Sequence, residues 1–174
     1  MPRLRKFVAY RGLERPYTRI SKYKKKSFIK TTPNVKIVRF NTGNLRKKFP
    51  YSVNLVSKCG LNIRDNAMES GRQTCNRLLE NTLGTPAYHM QVRPYPHQVI
   101  RENPLASGAG ADRFSTGMQK AFGKPTGSAV RVKEGQKLIT VSVNKKDLKV
   151  ARDALNRFRK KIPGSYLVQI EENK

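Results

Sequence analysis

Acidic residues are scarce in this sequence, and that shortage is its clearest compositional feature. Only 11 Asp and Glu stand against 37 Lys and Arg, which gives a formal net charge of +26 and a pI near 10.7. Because self-repulsion at this charge opposes compaction, a polyanionic partner such as RNA or DNA is the simplest explanation. Adaptation to high temperature is the alternative, but it usually raises Glu together with Lys.

Cysteine and histidine are also rare, with two residues of each. Cys59 and Cys75 form no C-x-x-C motif, and nothing else suggests secretion, so a disulfide is not expected. Adding His89 and His97 would give four metal ligands, but the spacing fits no zinc ribbon or finger. Cys75 lies on the apolar side of a predicted helix, which favours a buried thiol, and both histidines are interpreted as strand or surface residues. We therefore expect no metal and no cofactor.

Long hydrophobic runs are missing. No apolar stretch approaches the roughly 18 residues of a membrane helix, and the N-terminus has no hydrophobic signal core. Hydrophobic residues make up 37% of the 174, which allows one modest core. We expect a cytoplasmic protein of one domain with extensions, and no membrane partner.

Motifs for catalysis and nucleotide binding are missing as well. The glycine-rich segment fails the P-loop pattern because Lys124 is followed by Pro125, and Arg113 stands where a dinucleotide fingerprint needs its third glycine. No nucleophile elbow is visible, and Asp112 beside Arg113 is interpreted as a helix cap or ion pair. The sequence therefore predicts neither an enzyme nor a small-molecule substrate.

Residues 1–34 are predicted to be a basic extension that becomes ordered on RNA. They contain eleven Lys and Arg against Glu14 alone, and aromatic residues are interleaved among them. Cations suit phosphates and rings suit bases, whereas a purely solvating tail, which is the alternative, is usually poor in aromatics. The expected RNA contacts are Arg3, Arg5, Lys6, Tyr10, Arg11, Arg15, Tyr17, Arg19, Lys22, Lys24, Lys25, Lys26 and Lys30. A loop cluster of Arg46, Lys47 and Lys48, together with Lys120 and Lys124, completes the set.

The first half of the remaining chain predicts two strands and a helix. The strands are Val35–Phe40, which ends at a turn over residues 41–44, and Tyr51–Ser57, which alternates in polarity. The helix should open at Asn62 with Asp65 in a capping-box arrangement and end at Gly84. Its buried stripe is Ala67, Met68, Gly71, Cys75, Leu78, Leu79 and Leu83.

The second half predicts strands at Tyr88–Arg93 and His97–Arg101, separated by prolines that suggest an edge or a bulge. Ser128–Val132 and Leu138–Val143 should form an antiparallel hairpin around Glu134-Gly135. A helix capped by Asn144 and Asp147 follows, then a strand from Tyr166 to Ile170. The stripe of this helix is Leu148, Ala151, Leu155, Phe158 and Ile162. Residues 35–174 thus predict a single α+β domain, with two long helices packed on a mixed or antiparallel sheet.

One segment is unusual. Between Glu102 and Asp112 the only large apolar residue is Leu105, and small residues fill the rest, so residues 102–113 are predicted to be a flexible loop. Arg101 and Arg113 bracket it, and arginine suits phosphate. A short helix with Phe114, Met118, Ala121 and Phe122 on one side should follow.

The run GAGADRFSTGMQKAFGKPTGSAVRV, with residues 16–19 (PYTR) and 96–103 (PHQVIREN), resembles the universal large-subunit ribosomal protein L sixteen family in its archaeal and eukaryotic branch, L ten-e. The resemblance covers nearly the whole chain, and the absence of a longer tail after Lys174 favours the archaeal form.

The resemblance implies a compact α/β fold and a structural role on 23S-type rRNA near the A-site side of the peptidyl-transferase region, among other large-subunit components. It also implies that a loop approaches the tRNA acceptor end without performing chemistry. The matching positions are Arg101, Asn103, Ser107, Gly108, Ala109, Gly110, Ala111, Asp112 and Arg113. An RNA-modifying enzyme and a DNA-compacting protein are the alternatives.

Overall fold

The computed structural model describes Lys6, Val8 and residues 21–102 and 123–173. The predicted flexible loop from Asn103 onward and the predicted short helix up to Phe122 lie outside the described residues. Single 3-10 turns cover Lys24–Lys26, Thr85–Ala87 and Lys145–Asp147. The strands are β1 (Asn41–Gly43), β2 (Tyr51–Ser57), β3 (Leu61–Arg64), β4 (His89–Val92), β5 (Gln98–Glu102), β6 (Lys124–Val132), β7 (Lys137–Val143) and β8 (Tyr166–Glu172), and the helices are α1 (Asp65–Leu83) and α2 (Leu148–Arg159).

The strands form two antiparallel sheets, which confirms the predicted α+β class. Five strands lie in the order β1-β4-β7-β2-β8, and three lie in the order β3-β6-β5. In the larger sheet Val53 lies opposite Val141 and Ile170, so one face presents a row of branched side chains. The two helices pack against each other, and α2 covers the larger sheet while α1 reaches the smaller one.

The centres of both predicted helical stripes are confirmed, whereas Ala67, Leu78, Leu83 and Leu148 are half-buried and Ile162 lies beyond the end of α2. Met68, Gly71, Cys75 and Leu79 are buried on α1, and Ala151, Leu155 and Phe158 are buried on α2. The helices approach closely at Gly71, where an added Cβ would lie 2.8 Å from two ring carbons of Phe158. Glycine is therefore required there by packing. Burial raises the pKa of the Cys75 thiol to about 12, in agreement with its predicted place in the core.

The predicted capping boxes are wrong. Residues 61–64 form β3 and pair with β6, so Asn62 is buried opposite Arg131 and α1 begins only at Asp65. At α2, Asn144 gives no side-chain cap, and its carbonyl instead accepts the N–H of Asp147 at 3.0 Å to close a 3-10 turn. In both places backbone pairing takes the position that the side-chain pattern suggested for a cap.

The predicted hairpin is also wrong, although the turn at Gly135 is present with φ of 73°. β6 pairs with β3 and β5, whereas β7 pairs with β2 and β4. The turn is instead bound to the end of β2, because Ser57 N–H donates to Gln136 O at 3.0 Å and Gly135 N–H donates to Ser57 O at 2.9 Å. The two strands therefore separate into different sheets.

Residues 35–40 do not form the predicted strand, and β1 begins where a turn was expected. The segment runs alongside α1 instead. Lys36 N–H donates to Asp65 Oδ2 at 3.1 Å, and Val38 N–H donates to Glu69 Oε2 at 3.3 Å. Four helical residues rise about 6 Å and two extended residues about 6.6 Å, so carboxylates one turn apart match alternate amides. Ile37, between these amides, is buried.

Other strand predictions hold with adjusted bounds. Tyr51–Ser57 is β2 as predicted, but it is buried on both faces rather than one. The chain around Pro94 and Pro96 crosses from β4 in the larger sheet to β5 in the smaller one. β5 is an edge strand, which confirms the predicted edge, but its register shift lies between Ile100 and Arg101 and not at the prolines.

Candidate nucleic-acid interface

A turn of lysines between two serines is the best-defined basic element of the described chain. Lys24–Lys26 form one 3-10 turn, in which Lys26 N–H donates to Tyr23 O at 2.9 Å. Ser27 Oγ closes the turn from outside, since it accepts the Ser21 N–H at 2.9 Å and donates to Ser21 O at 3.2 Å. The backbone is therefore fixed locally, while the lysine side chains are exposed.

Tyr23 adds an exposed ring to this lysine turn. Its side chain is 63% exposed, and the Lys26 ammonium lies 5.2 Å from the ring centroid. A cation over a ring is a weak contact in water, but it holds a positive charge and a stacking surface next to each other. Tyr23 was not among the predicted contacts, although the interleaving of aromatics with lysines pointed to such residues.

The second basic cluster is also built on a fixed turn. Asn44 Oδ1 accepts the N–H groups of Arg46 at 3.0 Å and Lys47 at 3.2 Å. Lys47 Nζ lies 5.3 Å from the ring centroid of Phe49, which is buried. Arg46, Lys47 and Lys48 are exposed. This loop leaves β1 at Gly43, where φ is 91° and a Cβ would collide with the carbonyl oxygen of Tyr88, so only glycine fits.

A third feature is the base of the long connection between β5 and β6. Glu102 lies opposite Lys124 and Arg101 lies opposite Pro125, so the strand ladder holds the two ends of the connection together. Thr126 Oγ1 also donates to Ile100 O at 3.1 Å across the ladder. Lys124 is exposed and Arg101 is half-buried.

The end of α2 carries exposed Arg157, Arg159, Lys160 and Lys161. Cations at this place suit the negative end of the helix dipole. Three of these side chains also border a groove of about 520 Å³ between the helices, in which Asp153 contributes one acid. The helix end is therefore a further basic surface that periodicity alone did not single out as a binding element.

Of the predicted RNA contacts, the structure describes Lys6, Lys22, Lys24, Lys25, Lys26, Lys30, Arg46, Lys47, Lys48 and Lys124, all of them exposed. Of the loop positions, only Arg101 is described. The remaining predicted contacts lie outside the described residues: Arg3, Arg5, Tyr10, Arg11, Arg15, Tyr17, Arg19, Asn103, Ser107, Gly108, Ala109, Gly110, Ala111, Asp112, Arg113 and Lys120.

His89 and His97 do not form a metal site. His89 lies in β4, and its pKa is lowered mainly by burial and to a smaller extent by the charge of Arg93. His97 follows Pro96 and is exposed. Within residues 21–102 and 123–173, no three His, Cys, Asp or Glu side chains are close enough to hold a metal. No helix in the same part of the chain is long and apolar enough to cross a bilayer.

Comparison with known proteins then identifies the family. Residues 18–169 match the family model of ribosomal protein L16p/L10e. The chain belongs to this family. The predicted resemblance is therefore confirmed.

Archaeal L16p/L10e proteins match over almost the full length. The large ribosomal subunit protein uL16 of Methanococcus aeolicus is 44% identical over 160 residues, which cover 92% of this chain and 90% of the relative. The uL16 of Methanococcus maripaludis is 39% identical over 98% of this chain and 96% of the relative, and that of Archaeoglobus fulgidus is 39% identical over 94% and 90%. These relatives are named as ribosomal proteins rather than as enzymes.

Proposed function

We propose that this chain binds 23S-type rRNA in the large ribosomal subunit, near the A-site side of the peptidyl-transferase region. As an L16p/L10e protein it is a structural ribosomal component, not an enzyme. The lysine turn carries the proposal for rRNA contact. Exposed cations on a backbone fixed by Ser21 and Ser27 can face phosphates without a large ordering cost.

Electrostatics supports the same function. A charge of +26 strongly favours a polyanion, and the described basic clusters lie on turns rather than in an enclosed pocket. Such a surface suits a folded RNA, whose phosphates do not all lie in one plane. We further propose that Arg101 and residues 103–113 help to position the tRNA acceptor end without performing chemistry.

The rRNA proposal is tested by the salt dependence of binding. Replacing Lys24, Lys25 and Lys26 by Ala should flatten the plot of log affinity against log salt by about 0.7–0.9 for each phosphate that is no longer bound. The measurement is a filter-binding titration of the full chain with large-subunit rRNA at several salt concentrations. An unchanged slope would mean that the lysine turn faces solvent.

A matched control variant replaces Lys145 and Lys146 by Ala, because these lysines are also exposed in a 3-10 turn. Its salt dependence of binding should be like that of the wild type. Equal flattening by both variants would show a general cationic effect instead of a specific contact. Equal affinity for duplex DNA and rRNA would favour a DNA-compacting protein. In a co-sedimentation experiment at high magnesium and moderate salt, the wild-type chain should migrate with large ribosomal subunits. Its absence from the large-subunit peak would contradict a ribosomal role.

The tRNA proposal is tested by deleting residues 103–111. The domain should stay folded, because β5 and β6 hold the two ends of the connection together and loop-closure entropy changes only slowly with length. Subunits with this variant should keep the protein but bind A-site tRNA more weakly than wild-type subunits. Loss of cooperative unfolding in the variant, or unchanged tRNA affinity, would contradict the expectation.

A further inference from the structure

Three aromatic rings are in contact beside β4: Phe40, which precedes β1, and Tyr95 and His97, which lie on the connection from β4 to β5. The rings of Phe40 and Tyr95 are stacked with centroids 5.4 Å apart and planes at 21°. His97 continues the series at 4.7 Å from Tyr95, with its ring tilted by 49°. Phe40 packs against the core, Tyr95 is 49% exposed, and His97 is exposed. The stack therefore leads from the interior to the surface.

The backbone around the stack is held firmly. Pro94 and Pro96 are buried on either side of Tyr95 and restrict the backbone there. Val92 N–H donates to Phe40 O at 2.8 Å, and His97 N–H donates to Tyr95 O at 3.0 Å. The position of the Tyr95 ring is therefore fixed before any partner arrives, so a partner would not bear the entropy cost of ordering it.

Cations accompany the stack. Arg39 and Arg93, which precede Phe40 and Pro94, are both exposed. Arg93 Nε donates to Thr140 Oγ1 at 3.1 Å, so its guanidinium lies over β7. An exposed ring surface on a strongly basic protein has the chemistry that recognises an unpaired base in an RNA strand.

We propose that Tyr95 and His97 form a stacking platform for an unpaired RNA base. This inference rests on the proposed rRNA binding and adds a defined mode of contact to it. An RNA strand is favoured over a protein partner because exposed Arg39 directly precedes Phe40 in the sequence and the chain as a whole carries a charge of +26.

The test uses the full chain, large-subunit rRNA and three variants. The double variant Tyr95→Ala with His97→Ala should weaken rRNA binding by about 5- to 150-fold, the range for removing one stacked base. The slope of log affinity against log salt should stay unchanged, since stacking releases no counterions. Tyr95→Phe should bind like the wild type.

Ile170→Ala serves as the matched control, because Ile170 is 50% exposed on β8 at the opposite edge of the sheet. It should bind like the wild type, and all variants should unfold at similar temperatures. Chemical probing of the bound rRNA should show one base that becomes reactive only in the double variant.

Wild-type affinity in the double variant, with no newly reactive base, would overturn the stacking platform while rRNA binding stands. Loss of the double variant from assembled subunits without a change in base reactivity would overturn it in favour of a protein contact. Failure of the wild-type chain to bind rRNA would refute the proposed function itself.

Discussion

Two ion pairs of equal length lie in contrasting surroundings. Arg72 Nη2 and Glu69 Oε1 are 2.7 Å apart on α1, with each side chain 10% exposed. Lys137 Nζ and Glu171 Oε2 are also 2.7 Å apart, between β7 and β8, but their side chains are 37% and 46% exposed. Distance alone would give both pairs the same weight.

The difference lies in what else each carboxylate holds. Glu69 accepts two hydrogen bonds from Arg72, one from Gln73 Nε2 at 2.9 Å, and the Val38 N–H at 3.3 Å. Glu69 therefore connects α1 to the segment around Val38, which follows the basic extension. Glu171 lies at the surface, where water and salt screen its attraction to Lys137. Although this protein has few acidic residues, Glu69 serves to attach the segment around Val38 to α1.

Breaking the buried pair should produce the larger loss of stability. Glu69→Gln leaves the Arg72 guanidinium buried without a counter-charge, so we expect the free energy of unfolding to fall by about 2–4 kcal/mol. Urea denaturation at pH 7 measures this change. A loss below about 1 kcal/mol would mean that water replaces the missing charge.

A double variant, Glu69→Met with Arg72→Met, separates the two contributions to that loss. Replacing a whole buried pair by apolar side chains is often nearly neutral. The double variant should therefore be more stable than Glu69→Gln. If it is less stable, the hydrogen bond from Val38 matters more than the buried charge.

Lowering the pH should reduce the contribution of Glu69 to the free energy of unfolding. Burial alone would raise its pKa, but the hydrogen bonds from Arg72 and Gln73, the Arg72 charge and the Val38 amide together hold the pKa below its ordinary value. A carboxyl with a lowered folded-state pKa stabilises the protein above its unfolded-state pKa of about 4.3, and this stability is lost as the pH falls through the folded-state pKa.

The expected result is a gap in unfolding free energy between wild type and Glu69→Gln that is largest near neutral pH and narrows steadily below about pH 4. Urea denaturation of both proteins across that range gives the gap directly. A gap that stays constant down to about pH 2 would show that ionisation of Glu69 does not contribute.

The contrast also shows which parts of the fold were predictable. Apolar spacing of three and four was enough to predict the buried stripes of α1 and α2. Residues at these spacings lie on the same face of a helix, so the local sequence alone shows which face is buried. The partners of Asp65 and Glu69 were not predictable, since the amides of Lys36 and Val38 lie 29 and 31 positions away. The separation of β6 from β7 was not predictable either, because the turn between them is hydrogen-bonded to Ser57, far away in the sequence.

For the candidate site, composition predicted which lysines are exposed, but not the geometry of their turns. The run of lysines gave no sign that Ser21 and Ser27 close a turn around it. The stack of Phe40 on Tyr95 joins segments that flank β1 and β4, which pair only in the folded sheet, and so it was missed entirely.

The exposed pair should show the smallest effect. The hydrogen bond from Lys137 is the main cause of the lowered pKa of Glu171. Even so, Glu171→Gln should change the unfolding free energy by no more than about 0.5 kcal/mol at physiological salt, because screening and side-chain entropy offset the attraction. Urea denaturation in low and high salt measures this, and the small difference should vanish in high salt. A loss comparable to that of Glu69→Gln would show that the 2.7 Å distance outweighs burial, and the contrast between the two pairs would fail.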